Sequence, residues 1–224
     1  MHKKVLAGAI SVLAGVMACS RQDTQQSTKA PPAEGAKQTI TRSLEYAESS
    51  VTRTRRPTFT AADWDRAAAS IVKLQPRYFR DLPAAIVGEL ERRGCTIPQT
   101  AVPGTHNVIN GRFTRATQLD WAVLCSHDER STILVFRNAA SDDVTALAPA
   151  EDRGFLQGMG GSLIGYSRQI GVADAGFIRA MNDQFGHVTL PQLDHDGIND
   201  AFIEKASTVH YWNGKQWLRL AGVD

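Results

Sequence analysis

Residues 120–138 read Asp120-Trp-Ala-Val-Leu-Cys125-Ser-His-Asp-Glu-Arg-Ser131-Thr-Ile-Leu-Val-Phe136-Arg-Asn138. Two apolar runs, 121–125 and 132–136, flank a polar turn, and short runs rich in β-branched and aromatic residues on either side of a turn read as a strand hairpin. Segment 207–212, Ser207-Thr-Val-His-Tyr-Trp212, is bounded by polar turns in the same way. Working outward, strands are predicted at 108–113, 201–203, 209–212 and 217–220. Ahead of them lies a different periodicity. Thr60 with Asp63 three residues later has the form of a capping box, and Trp64, Ala67, Ala68, Ile71, Val72 and Leu74 recur at helical spacing, so a helix is predicted to run to Leu74 and stop at Pro76. A second helix is predicted from Pro83 to Arg93, with Gly94 at its stop. A third is predicted over 174–185, before Gly186. Two leading helices followed by antiparallel strands make the class α+β, with one domain over 59–224.

The chain has 224 residues, 42% of them apolar, enough for one ordinary domain with extensions. Its formal charge is +2, and Lys3 and Lys4 stand in the N-terminal leader described next, so the remainder is balanced. A nucleic-acid binder concentrates basic residues to displace counterions from phosphates, and the folded part has no such excess, so no nucleic-acid partner is expected.

Met1 to Lys4 is a short basic start, and residues 5–18 are apolar or small except Ser11. That pattern is a signal peptide, too short for a comfortable membrane span. Its end, Val16-Met17-Ala18-Cys19, resembles the bacterial lipobox, with Met17 a departure at the second place. The resemblance implies cleavage before Cys19, acylation of its thiol and amine, and attachment of the mature chain to a membrane through those acyl chains; at about 0.8 kcal/mol per buried methylene, several chains anchor stably where one would not. Ser20 rather than Asp after the Cys implies the outer membrane, facing the periplasm, in a host with two membranes. From Ser20 to Thr39 the only residues of the apolar class are Ala30, Ala33 and Ala36. Such a segment cannot bury enough surface to offset its conformational entropy, so 19–58 reads as a flexible tether.

With Cys19 acylated, Cys95 and Cys125 are the remaining thiols, and an even pair in an oxidising compartment reads as a disulfide. It would close a loop of about thirty residues, for roughly 3 to 4 kcal/mol in the chain-entropy picture. A catalytic thiol is the alternative, without a His or Asn at a known spacing to support it.

Gln192-Leu-Asp194-His-Asp196-Gly197-Ile198-Asn-Asp200 alternates carboxylates around a glycine. The stretch resembles the DxDxDGxxD loop of FG-GAP and related integrin-type repeats. The resemblance implies calcium held by the side chains of Gln192, Asp194, Asp196 and Asp200 and the carbonyl of Ile198. Gln192 stands where Asp is usual, which removes one negative charge. His195 occupies a non-ligand place and is expected to face solvent. The other reading is a tight polar turn in which Asp194 and Asp196 bond backbone amides and Gly197 supplies a positive φ. Gly111, Phe113, Asp120, Ala122 and Val123 fit the same register with the earlier loop carboxylates gone. With the likeness of 131–138 to 207–213, this predicts a sheet built from two diverged hairpin units, separated by an insertion over 139–190.

No nucleophile elbow, zinc-protease helix, P-loop or dinucleotide fingerprint occurs. Trp64, Trp121, Tyr211, Trp212 and Trp217 serve either as core or as the lining of a sugar or peptide groove. The functional expectation is a lipid-anchored cell-envelope protein that binds an unidentified envelope macromolecule or has a structural role, without catalysis. The alternative is an envelope hydrolase using Asp194, Asp196 or Asp200 on wall polymer or peptide.

Overall fold

The computed structural model describes residues 58–223; the expected leader at 1–18, Cys19 and the expected tether through 57 lie outside the described residues. Helix α1 (Ala61–Ala69) begins at the capping box read from the sequence: the Thr60 amide donates to Asp63 Oδ2 at 2.7 Å and the Asp63 amide donates to Thr60 Oγ1 at 3.3 Å. It ends five residues short of the expected Leu74, because Lys73–Leu74 leaves the helix as strand β1. Gln75, forced out of the helical region by Pro76, is extended as well. Helix α2 (Ala84–Arg92) follows Pro83 and closes as a Schellman turn. The Cys95 amide donates to Leu90 O, the Gly94 amide donates to Glu91 O, and Gly94 takes φ +68°. β2 (Ile97–Pro98) then pairs antiparallel with β1.

Two four-stranded antiparallel sheets form the body, each running from strand to neighbouring strand. The first consists of β3 (Val108–Gly111), β4 (Asp120–His127), β5 (Arg130–Phe136) and β6 (Val144–Glu151). A small hairpin, β7 (Leu156–Gly158) with β8 (Ile164–Tyr166), leads to the second sheet. That sheet starts with β9 (Arg168–Ala173), is interrupted by helix α3 (Ala175–Met181), and continues with β10 (Gly197–Phe202), β11 (Ala206–Trp212) and β12 (Trp217–Ala221). The expected helix over 174–185 is regular only to Met181. Its last turn, Asn182–Gly186, widens to π geometry and ends with His187 at φ +49°. The α+β class holds. Segment 139–190 is not a mere insertion, since it supplies the last strand of one sheet and the first of the other.

The layers follow from the two-residue period of strands. Trp121, Val123, Cys125, Leu134 and Phe136 point to one side and pack with Ile86 and Leu90 of α2. Ala122, Leu124, Ile133 and Val135 point to the other and pack with Phe113, Leu147, Ile170 and Ile198, the last two from the second sheet. That sheet turns Ala173, Val209, Tyr211 and Leu220 outward against Ile178 of α3. The order is therefore helix, sheet, sheet, helix. Cys95 and Cys125 are disulfide-bonded with Cα atoms 5.1 Å apart, which fastens the end of α2 to β4. Asn107, buried at φ +73°, stitches the two sheets: its side chain donates to the carbonyls of Pro98 and Arg168 and accepts from the Ile170 amide. Among the described residues no helix is long and apolar enough to cross a membrane.

Candidate functional site

The loop before β10 wraps a tyrosine. The Tyr211 hydroxyl donates to the Gln192 carbonyl at 2.9 Å and accepts from the Asp194 amide at 3.2 Å. His195 does not face solvent: its side chain is only 5% exposed and its ring stacks on Tyr211 with centroids 4.4 Å apart. An imidazole nitrogen donating to its neighbour's carbonyl, Nδ1 to Asp196 O at 2.9 Å, fixes the ring there. Asp196 and Arg112 pair reciprocally, the Arg112 amide donating to Asp196 Oδ2 and the Asp196 amide to Arg112 O. Gly197 has no positive φ. It opens β10 because a Cβ there would meet Val209 Cγ1 at 2.7 Å and the His210 carbonyl at 3.1 Å.

The five residues expected to converge on calcium are thus distributed over separate tasks. Gln192 contributes its carbonyl to Tyr211, Asp194 and Asp196 stay in the loop, and Ile198 is fully buried between the sheets. Asp200, the fourth residue of β10, turns its carboxylate to Arg168, which donates to it through Nε at 2.9 Å and Nη2 at 2.8 Å. Among the described residues no group of three His, Cys, Asp or Glu side chains is placed to hold a metal ion. The donor set therefore does not fit a calcium ion in this arrangement, because the third carboxylate already neutralises a guanidinium.

That guanidinium is the centre of the site. Arg168 starts β9 with its side chain 1% exposed, and all its N–H groups reach oxygen. Besides Asp200, Nη1 donates to Ser131 Oγ at 3.0 Å and Ser131 O at 3.2 Å, and Nη2 donates to Ala148 O at 2.7 Å. The Ala148 carbonyl is available because β6 carries a bulge. Ser131 pairs with Ala150 and Ile133 with Leu147, so Ala148 and Pro149 together face Thr132. Ala148 takes φ +46° there, and bulge plus proline blunt the free edge of the sheet. The Phe155 ring lies under the guanidinium, 4.6 Å from its carbon.

Where the β6 edge stands off the second sheet, the two leave a cleft of about 590 Å³, within the roughly 300 to 1,000 Å³ typical of ligand pockets. Its floor is one face of the second sheet, read at alternate positions: Arg168, Asp200, Phe202, Thr208, His210, Trp217 and Arg219. Its walls are Phe155 and residues 146–150 of β6. Burial alone pushes the Asp200 carboxyl up, but the His210 imidazole and the Arg168 guanidinium outweigh it and hold its pKa below the usual carboxylate value. His210 Nε2 is 3.9 Å from Asp200 Oδ2, beyond hydrogen-bond reach, so its influence is electrostatic. That nitrogen and Trp217 Nε1 are both buried without a hydrogen-bond partner.

A second polar cluster was invisible in the sequence. Asp152 Oδ2 accepts from Ser126 Oγ at 2.5 Å and pairs with Lys73 Nζ at 2.8 Å, and Lys73 Nζ donates to Ser126 Oγ at 2.9 Å. Ser126 and Asp152 are each 1% exposed, so a Ser–Lys nucleophile has no access to substrate and the cluster ties β1 to β4 and the turn after β6. Of the aromatic candidates, Trp121 and Tyr211 belong to the core, Trp64 packs edge-on to Phe59, and Trp217 lines the cleft with Trp212 beside it. No protein-family model, curated protein or solved structure matches this chain.

Proposed function

We propose that this chain is a lipid-anchored protein of the cell envelope whose domain binds an envelope macromolecule in the cleft between its two large sheets, without catalysing a reaction on it. Acyl chains on Cys19 hold it to the membrane, at the periplasmic face of the outer membrane in a host with two, and residues 19–58 form the tether. In this reading the β4–β5 and β10–β11 hairpins are diverged copies of one unit, a likeness supported by their matching place as second and third strands of their sheets and by an Asp on the first strand of each, Asp120 buried and Asp200 largely enclosed.

The observation that carries the binding reading is the cleft itself, concave, walled by Phe155 and the β6 edge, and floored by Trp217 and a neutralised ion pair. A hydrolase reading has less support. Asp200 is held ionised by two hydrogen bonds from Arg168, the wrong state for a general acid near neutral pH, and among the described residues no imidazole stands at hydrogen-bond distance from the hydroxyls of Ser207 or Thr208.

Equilibrium dialysis against pooled soluble wall fragments, read by mass spectrometry, tests this. Fragments are expected to be retained intact by the native chain and released by Thr208→Trp, which fills the cleft. Fragments cleaved by the native chain and spared by Asp200→Ala would instead restore the hydrolase. For the anchor, a Cys19→Ser chain is expected in the soluble fraction, and one that stays with membranes at full length overturns the placement.

A further inference from the structure

Charge in the cleft is lopsided once its internal pair is set aside. Asp200 is the one carboxylate among the described lining residues, and both its oxygens are occupied by Arg168. Arg219, exposed and directly across the β11–β12 ladder from His210, therefore faces the cleft with no lining carboxylate left to neutralise it. Beside it the Trp217 indole carries an N–H with no acceptor, and the His210 side chain, 5% exposed, has an unpartnered Nε2. These polar groups share the β11–β12 part of the floor. Phe155, Phe202, Ala146, Leu147 and Pro149 supply the apolar part of the lining. A ligand complementary to both has an anionic, acceptor-rich head and a flat or aliphatic body. A planar guanidinium matches a carboxylate through two parallel N–H···O bonds, which selects that anion.

We infer that the cleft takes a carboxylate-bearing ligand, its carboxylate on Arg219 next to the Trp217 indole and its apolar part between Phe155 and the β6 edge. This rests on the cleft being the binding site. A carboxylate of this kind comes from a peptide chain end or from a sugar acid, and the chemistry at Arg219 is the same for both.

The test is a calorimetric titration of the soluble Cys19→Ser chain with N-acetylphenylalanine, N-acetylmuramic acid and the amide of each. At least one of the two acids is expected to bind, and an acid that binds is expected to do so at least about tenfold tighter than its own amide, the difference a charge-assisted pair supplies. Arg219→Gln is expected to erase the preference for acid over amide, and its melting temperature is expected to match that of the native chain, since Arg219 is exposed. Tighter binding of N-acetylphenylalanine assigns the peptide source, and tighter binding of N-acetylmuramic acid the sugar source. Equal affinity for acid and amide, an acid preference that survives Arg219→Gln, or failure of both acids to bind overturns the inference. The cleft as a binding site fails separately, if Thr208→Trp leaves the retention of wall fragments unchanged.

Discussion

The two large sheets have the same strand order, and each buries an aspartate on its second strand, yet the two carboxylates live in opposite surroundings. Asp120, with no exposure, accepts from four neutral donors: the Thr114 amide and hydroxyl, the Gln118 side-chain amide and the Asn138 amide, all at 2.7 to 2.9 Å. Asp200 accepts from one cation that itself reaches across to the first sheet. The first arrangement closes a loop over its own strand and leaves nothing for a ligand. The second joins two sheets that have moved apart far enough to open a cleft. Neutral local donors make a carboxylate a local brace, whereas a shared guanidinium makes it part of a wall between layers.

The largest way to break this contrast is Arg168→Ala. It strands the Asp200 carboxylate and the Ser131 and Ala148 carbonyls in the interior, so urea unfolding is expected to show a loss of about 3 to 5 kcal/mol. A loss under about 1 kcal/mol would mean that the pair sits in a far more solvated place than its geometry implies. Removing the disulfide with Cys95→Ala and Cys125→Ala is next, at about 3.5 kcal/mol, measured in the same way and matched by the native chain under reductant. Asp120→Asn turns an N–H₂ toward donors that need an acceptor and is expected to cost about 2 kcal/mol. The cleft and its ligand binding are expected to survive that change.

Acid sharpens the comparison further. The Asp200 carboxyl has a folded pKa below its unfolded one, so the stability it contributes is fully present above the unfolded value of about 3.9 and is lost as pH falls through the folded value. Unfolding midpoints measured from pH 6 downward are expected to fall more steeply for the native chain than for Asp200→Asn. The smallest effect expected is that of calcium. With Asp200 committed to Arg168, millimolar calcium is expected to move the melting temperature by less than about 1 °C, and a rise of several degrees would mean that the 192–200 loop rearranges to bind it.

Much of this architecture is legible in the sequence where local chemistry decides. Thr60 and Asp63 start α1, and Pro83 and Gly94 bracket α2, because caps and turns are set by neighbours a few residues apart. The runs 121–125 and 132–136 are readable as strands because both their faces are buried, one under α2 and one against the second sheet, which gives continuous apolar stretches. β6 was hidden by its composition: its three Ala and its Pro suit a bulged edge and carry little strand signal. The site was hidden by distance. Arg168 and Asp200 are 32 residues apart, Arg168 and Ser131 are 37 apart, and no periodicity links them. The enclosed place of His195 was hidden for the same reason, since its partner Tyr211 is on a strand beyond the next turn.

A crystal structure of the Cys19→Ser chain, grown with soluble wall fragments at saturating concentration, tests the binding cleft most directly. The prediction is continuous ligand density between Trp217 and the β6 edge, with Arg168 and Asp200 still paired beneath it. Density confined to other surfaces, or a cleft closed by β6 folding onto the second sheet, would contradict it.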